Sequence, residues 1–284
     1  MSSHHVIVRI RHGGFGVDRI GHGGTLDPLA TGLLVVLVGR AVKLSEYITG
    51  HDKTYTVKGI LGKMRDTFDE EGKIIGVDDT PVNRQQMEKA IAEFPKEYYQ
   101  MPPDYSAIKI NGIASYKRAR EGKVTNLVSR RVLISRMELV DFNYPEFDLH
   151  VTVSAGTYIR SLIVDIAARL NTLAYVGRLR RNQSGSFSIN QAFKLNDVLN
   201  FSAEKFHDTL LPMESAVMDF PAVNLSKEQA EHFACGKWLK VEDITDALQN
   251  TKTNQLFRLR CEGNFFALGF FDEGYLKHEK VLLR

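Results

Sequence analysis

The sequence contains little cysteine and no long apolar segment, and both shortages limit what the protein can be. Two of its 284 residues are cysteines, Cys235 and Cys261, and neither belongs to a Cys-x-x-Cys pair. Two isolated thiols form neither a disulfide framework nor a zinc site, and they are typical of the reducing cytoplasm. The longest apolar run, Leu33 to Val38, is far shorter than the ~20 residues of a membrane-spanning helix. The N-terminus also lacks the apolar core of a signal peptide, so we predict a cytoplasmic protein without a membrane segment.

A strong charge of either sign is missing as well. The formal net charge is +3, with 43% hydrophobic and 25% charged residues, which is ordinary for a globular protein. This balance permits a nucleic-acid partner without requiring one, because a local basic patch matters more than the total charge. The glycine-rich segment 11–24 lacks the spacing of a phosphate-binding loop, and no His, Cys, Asp and Glu cluster has metal-ligand spacing. We therefore predict that the protein needs no cofactor and no metal.

Apolar patterning predicts an α+β fold with a mixed, largely antiparallel sheet, because strands and helices follow one another without strict alternation. A helix with a capping box begins at Asn83, and a second, amphipathic helix is predicted over 158–170. The segment 101–123 is predicted to start extended and to become helical near Ala114. The predicted strands cover 33–39, 54–62, 131–142 and 147–154, and a basic strand or loop covers 177–187.

The C-terminal part is predicted to be a separate small β-rich domain. Proline-punctuated sequence at 210–222 precedes a short helix with a Ser226–Gln229 capping box and Gly236 at its C-terminal end. Strands are then predicted at 255–261, 265–271 and 280–283. We therefore predict two domains, 1–212 and 213–284.

The stretch GHGGTLDPLATGLL (21–34) places a single carboxylate, Asp27, between a glycine-rich turn and an apolar run. A carboxylate beside proline in such a turn is usually a turn former that caps nearby backbone amides. The alternative is a working carboxylate that a rigid loop holds at the edge of a cleft. This stretch alone favours the turn former.

Further motifs reverse that preference. GHGGTLDPLATGLL is followed by KTYTV (53–57), PPDYSAIKINGIASYKRAREG (102–122), GTYIRSL (156–162) and RLRRNQSGSF (178–187). In this order and at this spacing they resemble the bacterial tRNA pseudouridine synthase B (TruB) family. The segment LLPMESAVMDFPAVNLS (210–226) extends the resemblance over most of the chain. It implies an isomerase that converts the T-arm uridine of tRNA (U55) to pseudouridine, with a pseudouridine synthase catalytic domain and a C-terminal PUA-like domain.

The resemblance implies three catalytic residues. Asp27 matches the nucleophile, which attacks either C6 of the uracil or C1′ of the ribose, and the sequence does not choose between these routes. Arg160 matches the arginine that pairs with the nucleophile and would favour its ionised form. Tyr55 matches the active-site tyrosine against the target base, where the phenol could assist proton transfer from C5. Without the motifs, Arg160 would be a helix-surface ion pair and Tyr55 a packing residue.

Further positions match residues that hold the flipped nucleotide and the surrounding RNA. Tyr158 and Leu179 match pocket residues, and His22 matches a histidine that helps fill the gap left by the flipped base. Lys109 lies in the insertion that grips the RNA stem-loop in the family. Basic residues beside the motifs are candidates for phosphate contacts: Lys109, Lys117, Arg118, Arg120, Arg178, Arg180 and Arg181. A weaker basic surface is expected in the C-terminal module: Lys237, Trp238, Lys240, Lys252, Arg258 and Arg260.

The resemblance also implies the partner, the T stem-loop of tRNA, and a monomer that acts without a protein partner. Two alternatives stay open: a guide-RNA-dependent pseudouridine synthase, and a non-catalytic factor that helps tRNA to fold. Family members normally begin with a strand that carries Lys-Pro-x-Gly, whereas this sequence opens at the helix pattern SSHHVIVRIR (2–11). We expect the fold to survive without that strand but to be less stable, with an unpaired sheet edge and reduced activity.

Overall fold

The computed structural model describes residues 1–78, 80–106, 108–110, 113–115, 118, 127–244 and 252–282, without the side chains of 109–110 and 113–114. The chain forms two compact units, and each of them combines separate pieces of sequence. The first unit comprises Met1–Ser3, Thr25–Val35 and Gly50–Ala192. The second unit comprises His4–Gly24, Val36–Thr49 and Phe193–Arg284. The domain boundary predicted at residue 212 stays a prediction.

Helices and strands are mixed along the chain. The α-helices are α1 (Ser3–Arg11), α2 (Ser45–Gly50), α3 (Arg84–Ala92), α4 (Ile159–Arg169), α5 (Leu195–Leu199), α6 (Ala203–Asp208) and α7 (Lys227–Ala234). The strands are β1 (Ile20–His22), β2 (Thr31–Gly32), β3 (Val36–Val38), β4 (Lys53–Leu61), β5 (Lys63–Arg65), β6 (Ile74–Val77), β7 (Glu97–Gln100), β8 (Lys109–Ile110), β9 (Ile113–Ala114), β10 (Arg130–Asn143), β11 (Glu146–Val153), β12 (Ala174–Ser184), β13 (Phe187–Ser188), β14 (Ala222–Leu225), β15 (Leu239–Lys240), β16 (Leu256–Cys261), β17 (Asn264–Asp272) and β18 (Tyr275–Val281). No helix in the described part of the chain is long and apolar enough to cross a membrane.

The first unit is organised around a seven-stranded sheet in the order β13-β12-β4-β11-β10-β7, with β2 beside β12. Its pairs are antiparallel except that β2 runs parallel to β12, which confirms the predicted mixed, largely antiparallel sheet. Alternation along β4 shows why this sequence forms a strand with one buried face. Tyr55, Val57 and Leu61 lie in the core, whereas Thr56 is exposed and Lys58 half-buried.

Helix α4 packs its apolar face against the same hydrophobic core as the sheet. Leu162, Ile163 and Ile166 are fully buried and belong to the same cluster as Val57. Their spacing is the amphipathic pattern that predicted the helix. Gly59 of β4 is required by close packing, because a Cβ atom there would lie 2.2 Å from the ring of Phe147.

Some local predictions match the structure and others do not. The helix predicted at Asn83 is α3, with both hydrogen bonds of the capping box present. The strand predicted over 33–39 is confined to Val36–Val38, because the Leu33 N–H bonds to the Arg181 carbonyl and Gly39 turns into a 3₁₀ helix with φ of +61°. The helix predicted beyond Ala114 lies almost entirely outside the described residues.

The second unit contains a five-stranded sheet in the order β14-β16-β17-β18-β15. Its core includes Phe233 of α7, Leu259, Ala267 and Leu276, which are fully buried. The β-rich C-terminal part is therefore as predicted, and α7 has the predicted capping box. The last strand is longer than predicted and begins at Tyr275, because its alternating polar residues conceal a strand of which only one face is apolar.

One charged cluster in the second unit changes the interpretation of two arginines. Glu214 accepts hydrogen bonds from Arg258 Nη1 at 2.7 Å and from Arg260 Nε and Nη2 at 2.6 and 2.8 Å. Arg258 also donates to the Phe220 carbonyl at 2.6 Å and is only 8% exposed. Arg258 therefore does not belong to the open basic surface expected of it, whereas Arg260 is paired with Glu214 but keeps 32% of its side chain exposed. They hold the segment around Glu214 on the sheet.

The opposite signs within this cluster determine its response to acid. Burial alone would raise the pKa of Glu214, but the hydrogen bonds and charges of Arg260 and Arg258 outweigh it and lower that pKa. A carboxylate with a lowered pKa stabilises the fold above its unfolded-state pKa, and the contribution disappears as the pH falls through the folded-state value.

We expect Glu214→Gln to lower the free energy of unfolding of the second unit by about 1–3 kcal/mol at neutral pH, since the buried Arg258 and the half-exposed Arg260 lose a charged acceptor. The difference from wild type should shrink below about pH 4.5, the ordinary pKa of the carboxyl group. Urea denaturation followed by the fluorescence of Trp238, the single tryptophan, reports on this unit. Glu242→Gln, which changes a mostly exposed carboxylate, is the matched control. Equal losses in the two variants would contradict the assignment.

Candidate active site

The loop that carries Asp27 is fixed by backbone hydrogen bonds. The Ala30 N–H donates to the Asp27 carbonyl at 2.9 Å, which closes a turn around Pro28. The Leu26 N–H donates to Ser3 Oγ at 2.9 Å, and Ser3 is buried. The side chain of Asp27 keeps 30% of its surface exposed. The loop is therefore rigid, while its carboxylate stays accessible.

The far end of this loop is joined to the sheet through β2. The Leu33 N–H donates to the Arg181 carbonyl at 2.8 Å, and Thr31 Oγ1 donates to the Leu179 carbonyl at 3.4 Å. Gly32 has a φ of +99°, and a Cβ atom there would lie 2.2 Å from the carbonyl oxygen of Arg181. Glycine is therefore required at this position both by its backbone conformation and by the close approach of β12.

Arg160 lies in the first turn of α4, and its guanidinium group binds both carboxylate oxygens of Asp27. Nε donates to Oδ2 at 3.0 Å, and Nη2 donates to Oδ1 at 3.2 Å. The remaining donors bind two carbonyls, with Nη1 to Thr67 at 2.9 Å and Nη2 to Tyr105 at 2.9 Å. Arg160 is 3% exposed, so it is not the helix-surface arginine that the sequence alone would favour. The fork fixes the orientation of the Asp27 carboxylate.

Asp69 is a second carboxylate at this guanidinium group, and the sequence analysis did not identify it. Its Oδ2 lies 3.6 Å from Arg160 Nη1, and the residue is 4% exposed. Oδ1 accepts hydrogen bonds from Thr67 Oγ1 at 2.6 Å and from the Glu71 N–H at 3.1 Å. Burial raises the pKa of Asp69, and these hydrogen bonds and the charge of Arg160 counteract it. Asp69 is one of four acidic residues within 66–71, and no spacing rule distinguishes it.

Tyr55 lies on the buried face of β4 and is 9% exposed. In the sheet it is paired with Arg181 of β12 and with Val151 of β11. Burial raises the pKa of Tyr55, the charge and hydrogen bond of Arg181 oppose that rise, and the negative charge of Asp27 adds to it. Tyr55 therefore lies within the electrostatic influence of the predicted nucleophile. Leu179, 5% exposed, belongs to the same hydrophobic cluster.

Tyr158, directly before α4, is held by a buried amide. Its N–H donates to Gln100 Oε1 at 2.8 Å, and Gln100 Nε2 donates to its carbonyl at 3.1 Å. Gln100 Nε2 also donates to Tyr98 Oη at 2.7 Å, and Tyr98 Oη donates to Asp165 at 2.9 Å. The guanidinium group of Arg130 lies 5.0 Å from the centre of the Tyr158 ring. This network fixes the backbone two residues before Arg160.

The remaining predicted site residues differ in their exposure and in the element that carries them. Arg180 is exposed on β12, as expected for a phosphate contact, whereas its neighbour Arg181 is 1% exposed and does not fit the phosphate contact considered for it. His22 is half-buried on β1 in the second unit. Lys109 lies on β8, but its side chain is outside the described residues, as are Lys117 and Arg120. Within the described ranges, no group of three or more His, Cys, Asp and Glu residues could hold a metal ion.

The first unit thus combines a fixed, accessible carboxylate with a forked guanidinium partner and a buried phenol. Such a carboxylate can act as a nucleophile, and the phenol can stack on a base or exchange a proton with it. The charges are arranged before any ligand arrives, which lowers the cost of reorganisation during a reaction.

Two family models match the chain. Residues 12–159 match the N-terminal domain of the TruB family pseudouridylate synthases, and residues 160–218 match the tRNA pseudouridylate synthase B C-terminal domain. A tRNA pseudouridine synthase B of Francisella tularensis is 37% identical over 282 residues, which cover 99% of this chain and 90% of that protein. A tRNA pseudouridine synthase B of Zymomonas mobilis is 39% identical over 231 residues, or 81% of this chain and 76% of that protein.

Two solved structures have a similar fold. A chain of a Cbf5-Nop10-Gar1 complex matches with a TM-score of 0.77 at 24% identity, covering 100% of this chain and 82% of that one. A chain of an H/ACA RNP bound to a substrate RNA containing 2′-deoxyuridine matches with a TM-score of 0.76 at 23% identity, with the same coverage. At this level of identity the likeness concerns the fold alone.

Proposed function

The chain belongs to the TruB family of pseudouridylate synthases, and on that premise we propose that it converts the T-arm uridine of tRNA to pseudouridine with Asp27 as the nucleophile. The observation that carries the assignment of Asp27 is its fork with Arg160. A guanidinium group that is 3% exposed holds both oxygens of a carboxylate that stays 30% exposed. An ordinary surface ion pair needs no such burial, because it gains little from being fixed.

The isomerisation needs a nucleophile and a proton transfer, but no net oxidant or reductant. The bond between C1′ and N1 of uridine breaks, the base turns, and C5 forms the new bond to C1′. Asp27 forms a transient covalent bond to C6 of the base or to C1′ of the ribose, and both routes fit an oriented carboxylate. The bond to Asp27 breaks when C5 attacks C1′ or, on the C6 route, when the C5 proton leaves. The electron pair of the C5–H bond restores the C5–C6 double bond, and N1 gains a proton.

Tyr55 is the group that we assign to the base and its C5 proton. Its ring offers a stacking surface for a uracil removed from the T loop, and its oxygen, once ionised, can accept the C5 proton. The electrostatic influence of Asp27 on Tyr55 supports placing both at one reacting base. Catalysis thus divides between a carboxylate that forms a bond and a tyrosine phenolate that accepts a proton.

Substrate binding is assigned to further residues that the family resemblance implies. Tyr158 and Leu179 would line the pocket of the flipped nucleotide, and exposed Arg180 would contact a phosphate. His22 and Lys109 keep the roles that the family resemblance implies, in filling the vacated stack and in gripping the stem-loop. The C-terminal β-rich part would add a PUA-like RNA contact.

We further infer that the chain acts as a monomer on tRNA in the cytoplasm, without a protein partner or a guide RNA. Purified chain and a T-arm transcript labelled with tritium at C5 test whether the chain acts without a protein partner or a guide RNA, because isomerisation releases the label. Release over many turnovers supports an enzyme that acts alone. Tight binding without release would favour the RNA-folding factor, and release only with added partners would favour the guide-dependent type.

Asp27→Asn should abolish turnover while it leaves the affinity for tRNA within a few-fold, because the amide is nearly the same size but is not a nucleophile. Tritium release and filter binding measure the two quantities. Asp208→Asn makes the same change at an exposed carboxylate and should behave as wild type. Turnover by Asp27→Asn at the wild-type rate would refute the assignment of the nucleophile.

Asp69→Asn should lower kcat by about 10- to 100-fold, because a misplaced guanidinium group misplaces Asp27 by a fraction of an ångström. The affinity for tRNA should stay within a few-fold, since Asp69 is buried beneath Arg160. Its neighbour Glu70 is exposed, so Glu70→Gln is the matched control and should retain full activity. If both variants turn over at the same rate, Asp69 does not position the site.

A further inference from the structure

Arg181 is the largest side chain that the first unit buries completely, at 1% exposure. It lies on β12 directly opposite Tyr55. A guanidinium group at such depth loses its hydration, and its new contacts must offset that loss. The contacts of Arg181 therefore indicate what it does.

Those contacts are made to both ends of the loop that carries Asp27. Arg181 Nε donates to the Leu33 carbonyl at 2.8 Å, and Nη1 donates to the Thr25 carbonyl at 3.4 Å. The backbone adds a further contact, because the Arg181 carbonyl accepts from the Leu33 N–H at 2.8 Å. One side chain thus joins the start and the end of the loop to the same strand.

Arg181 also reaches the phenol. Burial raises the pKa of Tyr55, and the positive charge and side-chain hydrogen bond of Arg181 limit that rise. The negative charge of Asp27 acts in the opposite direction and adds to the rise. Lys53, two residues along the same face of β4, also responds to Arg181. Burial and then the charge of Arg181 lower the pKa of Lys53 to about 8.

We propose, on the basis of the proposed function, that Arg181 is a positioning residue that fixes the Asp27 loop and stabilises the phenolate of Tyr55 as the acceptor of the C5 proton. When the C5–C1′ bond has formed, the Tyr55 oxygen takes the proton from C5. The C5–H electron pair becomes the C5–C6 double bond as Asp27 leaves C6 or, on the C1′ route, as the C6–N1 double bond gives its electron pair to N1. The phenol releases its proton to solvent before the next turnover. Because Arg181 is only 1% exposed, it acts through Tyr55 and the loop rather than by contact with solvent-borne groups.

The test is the pH profile of single-turnover tritium release from a C5-labelled T-arm RNA, between pH 6 and 9. Arg181→Gln removes the charge and should slow release at neutral pH by about 10- to 100-fold. It should also move the rising limb of the profile up by about one pH unit, because the phenolate loses a cation. Arg181→Lys keeps the charge and should restore part of that shift. Both variants should bind the RNA within a few-fold of wild type.

Two controls keep the inference falsifiable. Arg84→Met removes an exposed arginine on α3 and should leave the profile unchanged. In a Tyr55→Phe background the rising limb should disappear, and Arg181→Lys should slow release by less than it does in the wild type, because only the loop contacts are then lost. An unshifted limb in Arg181→Gln overturns the inference. So does a Tyr55→Phe enzyme that keeps the limb, even if Arg181→Gln does not fold. Wild-type protein that releases no tritium would instead overturn the proposed function itself.

Discussion

The structure of the candidate site depends on one buried cation, the guanidinium group of Arg160. A charge at 3% exposure is stable only if its donors are satisfied, and the chain supplies acceptors from three separate segments. Asp27 comes from the loop before β2, Asp69 and the Thr67 carbonyl come from the turn between β5 and β6, and the Tyr105 carbonyl comes from the segment after β7. The same bonds that offset the desolvation of Arg160 also orient Asp27. Stability and chemistry thus share one set of contacts.

The scaffold holds this cation through ordinary packing. Helix α4 buries Leu162 and Ile163 in the core of the first unit. The first turn of the helix therefore holds Arg160 in a fixed position. The Gln100 amide holds the backbone at Tyr158, which precedes that turn. Buried side chains sit in close-packed surroundings and move little. A site of this kind is preorganised, and binding of a nucleotide need not reorder it.

Periodicity and motif spacing predicted most of this scaffold but only part of the site. The alternating residues of β4 and the helical spacing of α4 identify both elements, because one face of each is apolar. The resemblance supplied Asp27, Tyr55 and Arg160. It did not supply Asp69, since an acidic residue in a polar turn looks solvent-exposed until the turn folds over a buried cation. The phosphate contact predicted for Arg181 does not fit the structure for a similar reason, because a run of basic residues does not reveal which side chain is buried.

The most direct test of this account is the substitution Arg160→Lys, which keeps the positive charge but removes the fork. Single-turnover tritium release from C5-labelled T-arm RNA measures the chemical step, and filter binding measures the affinity. We predict release at least about 100-fold slower than wild type, with the dissociation constant for RNA within a few-fold, because a lysine cannot hold both oxygens of Asp27 in place. A folded Arg160→Lys enzyme with a rate within about threefold of wild type would contradict the account. It would mean that charge alone, without the fixed orientation, is sufficient for the reaction.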